Sequence, residues 1–323
     1  MQRDTGGPPI VQSVVRRARA RANSGHLAIL ASEAGPTPVI PASGERGLSV
    51  ATQTVVITGG TQGLGFGYAR ECLARGCQVV ISGRDSERVA RAVARLRDLG
   101  FVSVSGLATE VSDLASVQAL WDFAVAQHGR VDIWIHNAGY ARTGAGFLDN
   151  TIEEIDAMVR TNVIGSINAA QVVIAGMRQQ GGGKLYLTLG GGGATGRIVP
   201  GMTVYSTTKR AIKYLVKSLL KERKEAGDGI LIGIISPGIN LTEGMLREMA
   251  KLTPQARERG LKQLNFIGDH VETTTPWIIE RVLHDERQGN DITWLTSTRL
   301  AQRALAALFG RKRDIVSRYS LES

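Results

Sequence analysis

An α/β domain built on one doubly wound parallel sheet, with helices on both faces, is the fold this sequence predicts. Three observations carry the prediction. Short β-branched runs alternate regularly with helix-like stretches from residue 51 onward. The first run opens into a glycine-rich turn, Thr58-Gly59-Gly60-Thr61-Gln62-Gly63-Leu64-Gly65, and then into a helix. The candidate ligand turns of the first half fall at carboxyl ends of strands, where open parallel sheets take their ligands. A chain of 323 residues has room for one such domain, a sizeable core and extensions.

Composition narrows the functional classes. The chain is 43% hydrophobic, and no uninterrupted apolar run approaches the roughly 20 residues of a membrane span. Its two cysteines, Cys72 and Cys77, suggest neither a disulfide framework nor a metal site and fit a reducing compartment. The net charge of +10 admits nucleic acid, an anionic membrane surface or plain basic tails as its reason. Residues 1–50 hold only three acids, Asp4, Glu33 and Glu45, while Arg16, Arg17, Arg19 and Arg21 cluster on a potentially helical stretch, 11–23. That Arg-rich, Ser-containing, acid-poor composition is the one an organellar transit peptide has; a leader without address or a basic arm is the alternative. No continuous apolar stretch follows the basic residues, which argues against a secretory signal. The expected organisation is a leader over 1–50, the α/β domain over 51–275 and a basic amphipathic extension over 276–323.

Taken in order, Val55, Val56 and Ile57 read as a buried strand. Residues 66–75 read as a helix stopped by Gly76. Gly63 and Gly65 lack the Cβ that would hold a pyrophosphate away from the backbone, so the turn between them favours a dinucleotide over a plain loop. A second strand, 77–82, runs into Gly83-Arg84-Asp85. No acid stands at the strand end to accept the 2′-OH of NAD, and Arg84 suits the 2′-phosphate of NADP; the cofactor expected is NADPH. The alternative makes Arg84 a solvated residue and Asp85 the cap of the next helix. That helix covers 87–99, a third strand 102–108, and Ser112 or Asp113 caps a helix over 114–127. A fourth strand, 131–136, ends in Asn137-Ala138-Gly139.

The second half carries the candidate chemistry. Residues 151–179 read as one helix, with Thr151 as cap and Glu153 and Glu154 in the first turn. Asn162 lies inside it among Val159, Val163 and Ile164, so it needs partners: a local kink that binds water, or a bond to neighbouring backbone. A strand over 184–189 leads into Gly190-Gly191-Gly192-Gly193. In the following helix Tyr205 and Lys209 stand at i and i+4, on one face. A nearby ammonium favours phenolate, so Tyr205 is expected to have a lowered pKa and to pass a proton.

Together the 58–65 turn, Asn137-Ala138-Gly139, Asn162, Tyr205 with Lys209, and Pro237-Gly238 followed by Thr242 resemble the short-chain dehydrogenase/reductase superfamily, over residues 51 to about 245. The resemblance implies a single Rossmann-like domain with a seven-stranded parallel sheet. It implies Tyr205 as general acid, Lys209 on the nicotinamide ribose, Asn162 holding a relay water and Thr242 on the carboxamide. The cofactor-binding set it implies is Thr58, Gly59, Thr61, Gln62, Gly63, Leu64, Gly65, Arg84, Asn137, Ala138, Gly139, Tyr205, Lys209, Pro237, Gly238 and Thr242. The serine that the superfamily usually carries thirteen residues before the tyrosine is Gly192 here, and Thr188 and Thr195 are off the expected spacing. Backbone N–H groups of the glycine run replacing that hydroxyl, or a silent protein, are the two explanations.

Within the superfamily the chain is similar to the plant and algal chlorophyll b reductases. The features are the 58–65 turn, Ile133-Trp134-Ile135-His136-Asn137-Ala138-Gly139, Thr161-Asn162-Val163-Ile164-Gly165-Ser166 and the glycine-rich 190–196 segment. That subgroup runs Gly-Ala-Gly-Ser where this chain has Gly191-Gly192-Gly193-Ala194. The resemblance implies reduction of the C7 formyl group of chlorophyll b to hydroxymethyl, at the chloroplast thylakoid. Another lipophilic carbonyl, such as a keto lipid or a quinone, and a catalytically silent NADP-binding partner are the alternatives.

Segment 244–267 mixes Met245, Leu246, Met249, Leu252, Leu261, Leu264 and Phe266 with charges; it reads as a lid over a large apolar ligand or as a helix pair on the core. Segment 298–309 sets Leu300, Ala304, Leu305 and Leu308 on one side, with Arg299, Arg303, Arg311, Lys312 and Arg313 around it. A basic amphipathic helix reads as a peripheral membrane contact, or else as an oligomer contact or solvated tail. The partners expected are therefore a lipophilic substrate, a membrane surface, and a homo-oligomer or a complex with a paralogous reductase. Nucleic acid is not expected, for no aromatic-interleaved basic motif occurs.

Overall fold

The computed structural model describes residues 52–144, 146–193, 196, 198–250, 252–310 and 313–317. The leader expected over 1–50, together with Ala194 and Thr195, lies outside the described residues. Seven parallel strands form the central sheet in the order β3-β2-β1-β4-β5-β6-β9. They are β1 (Thr54–Thr58), β2 (Gln78–Gly83), β3 (Val104–Ala108), β4 (Ile133–His136), β5 (Gly183–Thr188), β6 (Ile230–Ser236) and β9 (Asp291–Thr293). The order reverses beside β1, which leaves a crevice at the carboxyl ends of β1 and β4. This is the predicted doubly wound sheet.

Alternation along each buried strand decides which helix it meets. Val55 and Ile57 of β1 pack on one face with α1 (Gly63–Ala74), α2 (Ser86–Asp98) and the later helix α9 (Val271–Leu283). Val56 points the other way, to the layer of α3 (Leu114–His128), α5 (Gly165–Gln180) and α6 (Thr203–Glu222). Asp85 and Asp113 cap α2 and α3 through their carboxylates, so Asp113 rather than Ser112 starts α3.

The single helix expected over 151–179 is interrupted. α4 (Ile152–Val159) passes through one π turn, Arg160–Ile164, into α5, with Gly165 N donating to Arg160 O. A side chain at Gly165 would run into Val111, so close packing against the β3–α3 connection accompanies the extra residue in the turn.

Two expectations for the C-terminal part are corrected. The boundary after 275 falls inside α9, which packs on α1, and β9 completes the central sheet, so the sheet domain runs on to at least Thr293. A second, two-stranded sheet joins β7 (Ile239–Leu241) to β8 (Gly268–His270) on either side of α7 (Glu243–Ala250) and α8 (Pro254–Ile267). The second correction concerns α10 (Ser297–Leu308), where two basic residues face inward. Arg303 pairs with the buried Asp269 at 2.6 Å and Arg299 stacks over the Trp294 ring at 3.7 Å. Arg313, just beyond the helix, reaches the same Asp269 at 2.7 Å. The outward face is apolar instead, with Leu305 56%, Leu308 82% and Phe309 78% exposed. Arg311 and Lys312 lie outside the described residues. One buried carboxylate, which also accepts from Trp294 Nε1, makes this inversion favourable.

Candidate active site

The glycine turn forms a cradle at the amino end of α1. Gly59 and Gly63 adopt φ of 66° and 54°, left-handed values that glycine takes without strain. A side chain at Gly65 would collide with Gly59 O, and one at Gly63 would meet the Thr242 methyl at 3.0 Å. Gln62, the N-cap residue, makes no side-chain capping bond, and the first turn of α1 holds no acid. Its first-turn N–H groups and the positive end of the helix dipole are thus left for an anion. This arrangement fits a dinucleotide pyrophosphate. Thr61 and Leu64 complete the turn, with the Thr61 methyl packed where a Gly83 side chain would stand, 2.8 Å away.

The end of β2 presents Ser82, Gly83 and an exposed Arg84. Asp85 is the α2 cap, accepting from Arg88 N at 3.0 Å, as the alternative reading held. Arg84, which follows Gly83, is exposed and has no bonding partner among the described residues.

Thr58 locks the turn to the end of β4. Its Oγ1 accepts from Asn137 N and Ala138 N, both at 3.1 Å, and lies 3.2 Å from His136 Nδ1. With two N–H groups pointing at it, the hydroxyl gives its proton to Nδ1, so the imidazole carries its own proton on Nε2. Burial, helped by the Lys209 charge, pushes the His136 pKa down to about 3 and keeps the ring neutral. Asn137 Nδ2 donates to Gly59 O at 3.3 Å.

Tyr205, Lys209, Asn162 and Gly139 converge beyond the end of β4. Asn162 is fully buried. Its Oδ1 accepts from Tyr140 N at 2.8 Å, and its Nδ2 donates to Tyr140 O and Thr208 Oγ1, both at 2.9 Å. The chain does depart from a regular helix here, in the π turn, and the amide bonds to the backbone of Tyr140, 22 residues away, rather than to neighbouring backbone. Both amide hydrogens are used, so a water at this residue would have to donate to an oxygen. A Cβ on Gly139 would lie 3.3 Å from both Asn162 Oδ1 and Lys209 Nζ, a tight approach that would press on both groups.

Lys209 is buried and donates to Thr188 O at 3.1 Å, with its Nζ 5.8 Å from the centre of the Tyr205 ring. Burial brings its pKa down to about 8. The lowered pKa expected for Tyr205 is not what the structure has: burial pushes the phenol up to about 12. The side chain as a whole is half-buried, but its hydroxyl lies against Gly190, while the ammonium is turned to Thr188 O. Desolvation therefore outweighs the cation.

The glycine run is a bed for that ring. A Cβ at Gly190 would overlap Tyr205 Oη, and one at Gly191 would sit 2.7 Å from Tyr205 Cε1. Gly192, where the serine was expected, has φ of 74°. Ser206 Oγ donates to Gly191 O at 2.7 Å and fastens the run to α6. Thr188 is buried, and its hydroxyl has no partner among the described residues.

The segment after Pro237 and Gly238 reaches over the cradle. Gly238 takes φ of 73°. Thr242 Oγ1 accepts from Met245 N at 3.2 Å, capping α7, while its methyl covers Gly63. Of the apolar residues in α7 and α8, Met249 and Leu264 are buried with Leu241, Ile315 and Val316, so the helix-pair reading accounts for them. Sequence reasoning missed Arg142, which joins Glu154 at 3.0 Å to Glu248 of α7 at 3.2 Å. It also missed Thr208, Asp269 and Arg247, whose partners are remote in sequence. Only Thr208, next to Lys209 and on the helix face of Tyr205, left a local signal.

A family model described as short chain dehydrogenase matches residues 53–252. Chlorophyll(ide) b reductase NOL, chloroplastic, of Oryza sativa subsp. japonica is 33% identical over 302 residues, covering 88% of this chain and 86% of that protein. A protein of Arabidopsis thaliana named probable chlorophyll(ide) b reductase NYC1, chloroplastic, is 31% identical over 264 residues, 77% of this chain. The chain spans about half the length of the NYC1 relatives, 51% and 53%. Among solved structures, ElxO with NADP bound superposes with a TM-score of 0.66 at 23% identity, over 78% of this chain and all of that one. An actinorhodin polyketide ketoreductase with NADPH gives 0.65 at 21% identity, over 75% and 95%. These two likenesses establish the fold, and the family match with the relatives' identity establishes the lineage: the chain belongs to the short-chain dehydrogenase family of oxidoreductases.

Proposed function

We propose that this chain is an NADPH-dependent carbonyl reductase that reduces the C7 formyl group of a chlorophyll b-type pigment to hydroxymethyl. The observation that carries the reading is the placement of the Tyr205 hydroxyl on the Gly190–Gly191 bed, with Lys209 Nζ 5.8 Å from the ring centre. The named relatives support the pigment class. Arg84, free and without a neighbouring unengaged carboxylate at the β2 end, favours the 2′-phosphate of NADPH.

When bound in the cradle, the nicotinamide supplies a hydride to the formyl carbon. Tyr205, with a pKa of about 12, keeps its proton at neutral pH and gives it to the oxygen as charge develops there. Hydride and proton together convert the aldehyde to a primary alcohol. Lys209 is buried beside the tyrosine ring, and Asn162 holds the loop after β4 against α6 so that Gly139 lies next to Asn162 and Lys209.

The test is to incubate the full chain with NADPH and detergent-dispersed chlorophyll b, reading the product by chromatography and absorbance. Hydroxymethyl product from the wild type, absent from Tyr205→Phe although NADPH still binds, is the expected result. NADPH binding without product overturns the pigment reading; turnover of a keto lipid or quinone under those conditions identifies another lipophilic carbonyl instead.

The chloroplast is the proposed compartment, because the relatives are named chloroplastic. Peripheral membrane contact through α10 belongs to the same proposal. Its outward face is apolar, with Leu305, Leu308 and Phe309 exposed, which suits insertion at a lipid surface. Flotation with anionic vesicles, lost in a Leu305→Glu, Leu308→Glu, Phe309→Glu triple variant, is the expected outcome; flotation unchanged by the triple variant overturns it.

A further inference from the structure

The positive end of α1 faces a second cation. Arg247, on α7, donates its Nη2 to Gln62 Oε1 at 3.1 Å, and Gln62 is the N-cap residue of α1. A Cβ built on Gly244 would lie 4.0 Å from the same nitrogen and 3.9 Å from Thr242 Oγ1. The guanidinium therefore lies over the corner where Gln62, Gly63 and Thr242 meet. It is exposed and makes no ion pair among the described residues, although its helix neighbour Glu248 pairs with Arg142.

This arrangement is electrostatically unbalanced. A helix N-terminus repels a cation, and α1 has no acid in its first turn to offset it. A guanidinium held there becomes favourable once an anion lies between it and the first-turn N–H groups. Arg also presents its donors as a fork that matches two phosphate oxygens.

We propose that Arg247 is a ligand of the cofactor's pyrophosphate, carried to it by α7, so that cofactor binding and closure of the α7–α8 cover are coupled. The inference rests on the dinucleotide reading of the cradle. Arg247 bridges the diphosphate from the cover side, opposite the backbone N–H groups of the glycine turn. The α7–α8 segment already rests on Gly63 through the Thr242 methyl and on α4 through Arg142, and the Arg247–diphosphate contact adds a further anchor when cofactor is present.

The experiment compares two probes on the full chain: NADPH, and adenosine 2′-monophosphate, which has no pyrophosphate. Arg247→Gln is expected to weaken NADPH roughly tenfold, the loss of about one charge-assisted hydrogen bond. Adenosine 2′-monophosphate is expected to bind as before, whereas Arg84→Gln weakens both probes. Arg247→Lys should restore part of the NADPH affinity, and thermal stability without nucleotide should not change. Limited proteolysis supplies the second readout: NADPH protects 243–267 in the wild type and less so in Arg247→Gln. Equal loss of both probes, or full NADPH affinity and protection in Arg247→Gln, overturns the proposal. A wild type that binds neither probe removes the dinucleotide reading itself.

Discussion

Replacing Gly190 by alanine tests whether the glycine run positions the catalytic phenol. The Cβ would lie under 3.0 Å from Tyr205 Oη, a separation real Cβ atoms essentially never show, and 3.4 Å from Cζ. Gly190 is not among the glycines with positive φ, so alanine suits its backbone and the collision falls on the phenol. The ring has little room to yield, because Gly191 lies against Cε1 and α6 is fastened to the run through Ser206. Relief of the overlap moves the hydroxyl by about 1 Å, and a misplacement of that size costs roughly 100-fold in rate. The expected result is kcat lower by about that factor, with NADPH affinity and thermal stability unchanged, because neither the cradle nor the core is touched. Steady-state reduction of a formyl substrate, a fluorescence titration with NADPH and a melting curve make up the assay. Gly192→Ser completes it: at φ of 74° the serine carries about 1–2 kcal/mol of backbone strain and brings no gain in rate. An unchanged kcat in Gly190→Ala, or a tenfold gain in Gly192→Ser, would refute the reasoning and make the missing serine a true loss.

Three further outcomes follow from the site. Arg84→Gln should raise the Kd of NADPH about tenfold while leaving NADH nearly unaffected, measured as the ratio of the two affinities. Lys209→Met should abolish reduction yet stabilise the fold at pH 7. The ammonium's pKa falls from 10.5 to about 8 on folding, so the unfolded chain binds the extra proton between those values. The gain, about 3 kcal/mol less about 1 for the lost bond to Thr188 O, is complete below pH 8 and fades by pH 10.5, which denaturant melts at several pH values would show. His136 has the same sign of linkage on the acid side. Its pKa drops from 6.5 to about 3, so stability falls as pH decreases through that window, by up to roughly 5 kcal/mol; His136→Asn should flatten the profile.

Much of the site was legible because its signals are local. β-branching marks Val55, Val56 and Ile57 as strand whatever lies around them. The absence of a Cβ at Gly63 and Gly65 announces a close backbone approach, and the i, i+4 spacing sets Tyr205 and Lys209 on one helix face. The break at Asn162 was half legible: an amide among apolar residues asks for partners, but Tyr140 and Thr208 are 22 and 46 residues away. The direction of the Tyr205 shift was misread because proximity to a cation is visible in sequence and desolvation is not.

By itself, then, the amino-acid order determined the alternation of strands and helices, the cradle glycines and the tyrosine–lysine pair, all through interactions spanning a few residues. Tertiary structure alone decided which face of α10 turns inward, since periodicity shows that a helix has two faces but not that a buried Asp269 will draw Arg303 in and leave Leu305 and Leu308 outside. It alone brought Arg247 to Gln62 across 185 residues and laid the Tyr205 phenol on Gly190. Such contacts depend on how the layers pack, and packing is a property of the whole chain.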